Sequence, residues 1–246
     1  MKRYLFLLLL LSILYSCKRE VIPPGEIEIG KEYFPLQTGH FIEYEVDSLR
    51  YNTFNHDTEY AHLYMRDEVG DKFYDNEGRE SYFIKRFIRY NDTSAWNEVM
   101  TWYATQTNYR LEIVEDNLRF VKLIFPVKGN AVWNGNVYLP ASATSLEEVH
   151  WYLDWDYKYR AINESFDNGK MVFPNCVTVQ ASIGPKGTGL INDSTSTVNY
   201  SEFTAYQEVY SQQIGPVFRY LTHWEFQPTE GFRNGFSVVF RAINHN

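Results

Sequence analysis

VHWYLDWDYKYR, residues 149–160, is the stretch that decides the fold. Val149, Trp151, Leu153, Trp155, Tyr157 and Tyr159 share one parity, and His150, Tyr152, Asp154, Asp156, Lys158 and Arg160 share the other. Successive side chains of a β-strand point to opposite sides of the sheet, so strict alternation describes a long strand with one apolar and one polar face. A helix would scatter these charges around its axis.

The same alternation recurs in both directions along the chain. In FIEYEVDS (41–48), Ile42, Tyr44 and Val46 alternate with Glu43, Glu45 and Asp47. In YRLEIVEDN (109–117), Tyr109, Leu111 and Ile113 share a face, and Glu115-Asp116-Asn117 predicts a turn into LRFVKLIF (118–125). FTAYQEVYS (203–211) and VFRYLTHWEFQ (217–227) flank the turn signal Gln213-Ile214-Gly215-Pro216. In the second of these, Phe218, Tyr220, Thr222, Trp224 and Phe226 oppose Arg219, Leu221, His223 and Glu225. FSVVFRAI (236–243) aligns Phe236, Val238 and Phe240. Asp75-Asn76-Glu77-Gly78 and Asn168-Gly169 predict hairpin turns, because Asn and Gly tolerate positive φ. Residues 184–189 (GPKGTG) open a longer loop. Helix-like composition is confined to 30–38, interrupted by Pro35, and 141–148. The expectation is an all-β single domain over 30–246, with roughly nine to eleven strands in antiparallel sequence order and one or two short helices. So many long strands twist the sheet into a half-barrel or barrel-like meander. No repeat of fixed period divides the chain.

The N-terminus reads differently. MKRYLFLLLLLSILYSC places Lys2 and Arg3 before an apolar run too short for a bilayer span of about 20 residues, but suited to a signal-peptide core of about 7–15. The run closes on Leu14-Tyr15-Ser16-Cys17, which resembles a bacterial lipobox. Residues 1–16 read as a leader, Cys17 as the lipidated residue, and 17–29, with Pro23-Pro24-Gly25, as a tether. The expected location is the cell envelope, lipid-anchored in the bilayer through Cys17.

Formal net charge is −8, and loss of Lys2 and Arg3 with a leader makes it about −10. That excludes the basic footprint nucleic acid requires. Cys176 is the only cysteine besides Cys17, so there is no disulfide framework. It lies in FPNCVTVQ (173–180), a strand, where it reads as a small buried residue. The 20 Tyr, 17 Phe and 6 Trp suit a pleated surface and its core.

Within YFPLQTGHFIEYEV (33–46), a Tyr-x-Pro-Leu-x-x-Gly element precedes an alternating strand. With Val132-Trp133-Asn134-Gly135-Asn136, FPNCVTVQ and EVYSQQIGPVFRYLTHWEFQP (208–228), it resembles a family of uncharacterised envelope lipoproteins of Bacteroidota. The resemblance spans most of the mature chain. It implies a strongly curved antiparallel sheet and an envelope lipoprotein, and no activity. His40 and Phe41 stand where the family has Asn and often Trp or Tyr. In that phylum, surface export uses acids after the lipidated cysteine; Lys18-Arg19-Glu20 departs from this and favours an outer-membrane protein facing the periplasm, with surface exposure as the alternative. The phylum's glycan-attachment pattern marks Ser48, in Asp47-Ser48-Leu49, and Ser194, in Asp193-Ser194-Thr195, as O-glycosylation candidates.

Chemistry-bearing residues are sparse. His56 and His62 share a parity but would lie about 20 Å apart on a strand, so the 56–62 cluster reads as a solvated hairpin rather than a metal site. Asp154 and Asp156 would lie about 6.6 Å apart, within the carboxylate separation of glycosidases, but Lys158 and Arg160 share their face. No nucleophile elbow, phosphate loop or dinucleotide fingerprint occurs. No catalytic residue, metal ligand or cofactor is assigned. The expected function is a non-enzymatic binding or structural module whose ligand is a lipid, a glycan or another envelope protein. The rival is a carboxylate-dependent hydrolase of envelope glycans using Asp154 or Glu164. The interior face discriminates among these: an open apolar trough indicates lipid, aromatics with amides and acids a glycan, and a filled face a protein partner or a structural role.

Overall fold

The computed structural model describes residues 29–139, 155–182 and 200–246. Among them are twelve strands: β1 (Phe41–Asn52), β2 (Asp57–Tyr74), β3 (Glu80–Arg89), β4 (Asn97–Gln106), β5 (Arg110–Glu115), β6 (Leu118–Ile124), β7 (Val132–Asn134), β8 (Asp156–Asp167), β9 (Val172–Ser182), β10 (Ser201–Ser211), β11 (Gly215–Gln227) and β12 (Phe232–His245). All pairings are antiparallel, in the order β6-β5-β4-β3-β2-β1-β12-β11-β10-β9-β8-β7. The fold is all-β and single-domain, as the alternation predicts. The strand count exceeds the expectation because β2, β3, β4 and β7 lack clean alternation. Helix is limited, among the described residues, to a 3-10 turn at Lys31–Tyr33; the other helix-like segment, 141–148, lies outside them.

The parity reading holds at β8. Trp155, Tyr157 and Tyr159 are buried, while Asp156 and Arg160 are exposed. Residues 149–154 lie outside the described residues. Tyr109 precedes β5 and is exposed, whereas Leu111 and Ile113 are fully enclosed. The predicted turns carry positive φ at Gly78 (72°), Asp116 (52°), Asn117 (62°), Gly169 (85°) and Gln213 (63°).

The sheet curls until its two edges nearly meet. No ladder joins β6 to β7; single hydrogen bonds stitch the seam. The Val121 N–H donates to Gly135 O (2.7 Å) and Trp133 Nε1 to Val121 O (2.9 Å). The Tyr159 hydroxyl donates to Ile124 O and accepts from Ile124 N.

The lead-in to β1 closes one end of the barrel. Val127 N donates to Ile29 O (3.0 Å), Gln213 N to Glu32 O (2.8 Å), Gln106 Nε2 to Lys31 O (2.9 Å) and Tyr33 Oη to Asn163 Oδ1 (2.6 Å). Tyr33 and Phe34 are buried there. Two segments far apart in sequence meet at this end: His40 Nε2 contacts Ile214 O (2.8 Å), and the Tyr44 hydroxyl donates to Pro216 O (2.8 Å). Gly215 (φ 106°) begins β11, where a Cβ would lie 3.2 Å from Ile42 Cδ1. The lack of a side chain at 215 is therefore part of the contact.

Candidate functional site

The barrel interior is not simply apolar. Alternation brings Asp67 (β2), Arg86 (β3), Glu115 (β5), Lys122 (β6), Glu208 (β10) and Arg219 (β11) together. Three carboxylates meet three cations, so the cluster is neutral. Arg86 grips Asp67 through two bonds, Nε–Oδ1 2.7 Å and Nη2–Oδ2 2.8 Å, and reaches Glu115 Oε1 with Nη1 at 2.5 Å. Glu208 is fully buried. It accepts from Arg219 Nε (2.7 Å), Lys122 Nζ (3.2 Å) and the Tyr210 hydroxyl. Lys122 also donates to the Tyr206 hydroxyl at 2.5 Å.

The electrostatics follow from this geometry. Burial alone would push the Glu208 carboxyl up; Lys122, Arg219 and the two phenols outweigh it and hold it at about 2. Burial pushes Lys122 down, against the pull of Glu208. Burial followed by the neighbouring Glu208 drives the phenols of Tyr206 and Tyr210 upward. A buried charge survives only when paired and hydrogen-bonded, and every member of this cluster is.

Two small clefts flank the cluster, of about 320 and 380 Å³ with their open mouths included. They share Phe34, Tyr44, Asp67, Trp102 and Pro216. Ligand pockets run roughly 300–1,000 Å³, so even with their mouths counted both sit at the lower end. Elsewhere in the interior, among the described residues, Trp133, Trp155, Tyr157, Tyr159 and Tyr206 pack with ring centroids 4.7–6.4 Å apart.

The residues singled out by sequence are dispersed. Cys17, Asp154 and Ser194 lie outside the described residues. Ser48 sits half-buried in mid-β1, between Ala61 and Val238, on the parity of Tyr44 and Val46. Asp156 and Glu164 are exposed on β8. His56 occupies the turn before β2 with φ 52° and stacks on Phe232, while His62 lies in β2, where its Nδ1 is 2.8 Å from Asp47 Oδ1. Cys176 is buried, and burial pushes its thiol up.

The interior ion cluster escapes sequence reading because its members alternate like any solvated face. So does Glu112, on the opposite side of β5. It is buried within reach of Arg79 (3.1 Å), Arg110 (2.5 Å) and Arg119. Its carboxyl, which burial would raise, is held down by Arg119 and Arg110.

No family model matches the chain, and no curated protein does. Among solved structures, a candidate lipoprotein of Parabacteroides distasonis ATCC 8503 is similar, with 13% identity over 87% of this chain and 98% of the other, at a TM-score of 0.40. A likeness that distant assigns no activity.

Proposed function

We propose that this chain is a lipoprotein of the bacterial cell envelope, anchored through acylated Cys17, whose β-domain is a non-enzymatic structural or protein-binding module. The observation that supports the second half is the packing of the interior among the described residues: aromatics and a self-neutralised ion cluster take up much of it and leave beside the cluster two clefts at the small end of the ligand-pocket range. The anchor rests on the leader and the Ser16-Cys17 junction. The tether would leave the domain at the barrel end that residues 29–34 close.

The hydrolase reading loses support among the described residues, where Glu164 is exposed on β8. Glycosidic acid catalysis needs one carboxyl raised by its surroundings. Among the described residues, each carboxyl displaced from its ordinary value, namely Asp47, Asp75, Glu80, Glu112, Glu115 and Glu208, is displaced downward.

Two measurements test the proposal. Cys17→Ala should move the protein from the membrane to the soluble fraction; retention in the membrane would place the anchor elsewhere. Organic extraction and native mass spectrometry of the purified protein should find no lipid beyond the covalent anchor, and a glycan array should be blank. A stoichiometric lipid or a specific glycan would replace the structural reading with a carrier or lectin.

A further inference from the structure

At the opposite end of β10 and β11 from the Gly215 turn, three metal-ligating side chains converge. Glu202 and Glu225 are direct partners across the two strands, and Thr204 pairs with His223 two residues further along, on the same face. One donor atom from each of Glu202, His223 and Glu225 lies within 4.8 Å of the others. His223 Nε2 is 3.9 Å from Glu225 Oε1. Four ligands about 2.1 Å from a zinc ion stand roughly 3.4 Å apart, so side-chain rotations that shorten these separations by about 0.5–1.4 Å would bring the atoms to bonding range.

Two further features fit a cation. Glu202 and Glu225 stand directly opposite each other on paired strands, where like charges repel and a divalent ion between them would be attracted; Glu202 Oε2 also accepts from the Tyr200 hydroxyl (3.2 Å). The His223 ring is buried and oriented, its Nδ1 2.8 Å from Thr204 Oγ1. A metal-bound histidine typically carries such a partner on its other nitrogen, which fixes the ring and the tautomer. In the tautomer whose Nδ1–H donates to Thr204, the lone pair is on Nε2, the nitrogen 3.9 Å from Glu225 Oε1.

We propose that Glu202, His223 and Glu225 form a binding site for a divalent transition-metal ion of the zinc class, with Thr204 orienting His223. One imidazole and two carboxylates match zinc better than a hard ion, which prefers oxygen alone. Three protein ligands leave one tetrahedral position to water or an external donor. Such an ion would pin the start of β10 to the end of β11.

The test is calorimetric titration of zinc chloride into the detergent-solubilised full chain, free of histidine tags and cleared with chelator. One equivalent should bind. Glu202→Gln and Glu225→Gln should each weaken binding at least about tenfold, and Thr204→Val by about 10–100-fold. Near-UV circular dichroism of the apo variants should match the parent. The two glutamine variants keep the side-chain shape, so the test stands even if His223→Gln fails to fold. Absence of binding, or stoichiometric binding that Glu202→Gln and Glu225→Gln leave unchanged, overturns the site.

Discussion

The backbone of Gly135 lies against the ring of Tyr157: a Cβ on Gly135 would fall 1.4 Å from Tyr157 Cε2. Tyr157 is buried and packs against Trp133, Trp155 and Tyr206. Gly135 also holds the seam, accepting from Val121 N and donating to Trp155 O (3.1 Å). Gly135→Ala should therefore overpack the core and loosen the β6 edge, costing about 1–3 kcal/mol or more. Urea denaturation measures it, with Gly129→Ala as control, since nothing lies within 4 Å of a Cβ there and such surface changes stay within about 0.5 kcal/mol. Equal midpoints for the two variants would mean the seam does not depend on this contact.

Glu208 makes acid stability a second readout. Its carboxyl is depressed to about 2 in the folded protein, against about 4.3 in an unfolded chain. A depressed carboxyl stabilises the fold fully above its unfolded value, and that contribution is lost as pH falls from about 4.3 toward 2. Glu112 and Glu115, also held down, add to the loss in the same direction. Glu208→Gln leaves Lys122 and Arg219 without their shared partner, which should cost about 3–5 kcal/mol at neutral pH. The variant should also show a shallower decline between pH 5 and pH 2 than the parent, windows set by those values. Denaturant midpoints across that range decide it; an unchanged slope would move the acid sensitivity elsewhere.

Asn168 predicts a third effect. It sits in the β8–β9 turn, and its Nδ2 donates to Val217 O (3.1 Å) and Ala242 O (2.9 Å). Val217 falls in the register shift of the β10–β11 pairing, and Ala242 beside the one between β1 and β12. The amide thus serves carbonyls where two ladders slip. Asn168→Ala should cost about 1–3 kcal/mol by stranding buried acceptors. Asn168→Asp should cost more, because an ionised carboxylate only accepts and would face two carbonyl oxygens. Thermal unfolding of both variants tests the order; Asp at or above Ala in stability would refute it.

These sites show which layer of the fold the sequence discloses. Trp155, Tyr157 and Tyr159, or Ile42, Tyr44 and Val46, announce their buried face because apolar side chains keep one parity. On β10 and β11 the same rule misleads. Glu208 and Arg219 look like a solvated face, yet turn inward, since each neutralises the other and only proximity in space reveals it. β2 hides for a different reason: over its 18 residues nearly every position is exposed or half-buried, so no parity dominates. Phe73 and Phe83 stack with ring centroids 4.3 Å apart, a cross-strand contact between β2 and β3 without a pattern in either strand. Glu202, His223 and Glu225 are equally silent: they come from two strands and are close only through the β10–β11 register.

The two cysteines offer a last prediction, which joins fold to anchor. Cys176 is buried, its Sγ 3.4 Å from Phe173 O, and burial raises its thiol. The thiolate is the reactive form, so a chromogenic disulfide reagent should find no accessible thiol in the native protein. In concentrated guanidinium chloride, protein purified from membranes should release one thiol equivalent if Cys17 is acylated and two if it is free. The Cys17→Ala variant should also release one, from Cys176, so the two preparations should agree when unfolded. Native reactivity would mean that β9 opens. Two equivalents from the membrane preparation would remove the lipid from Cys17, leaving the leader's apolar run to explain any membrane attachment.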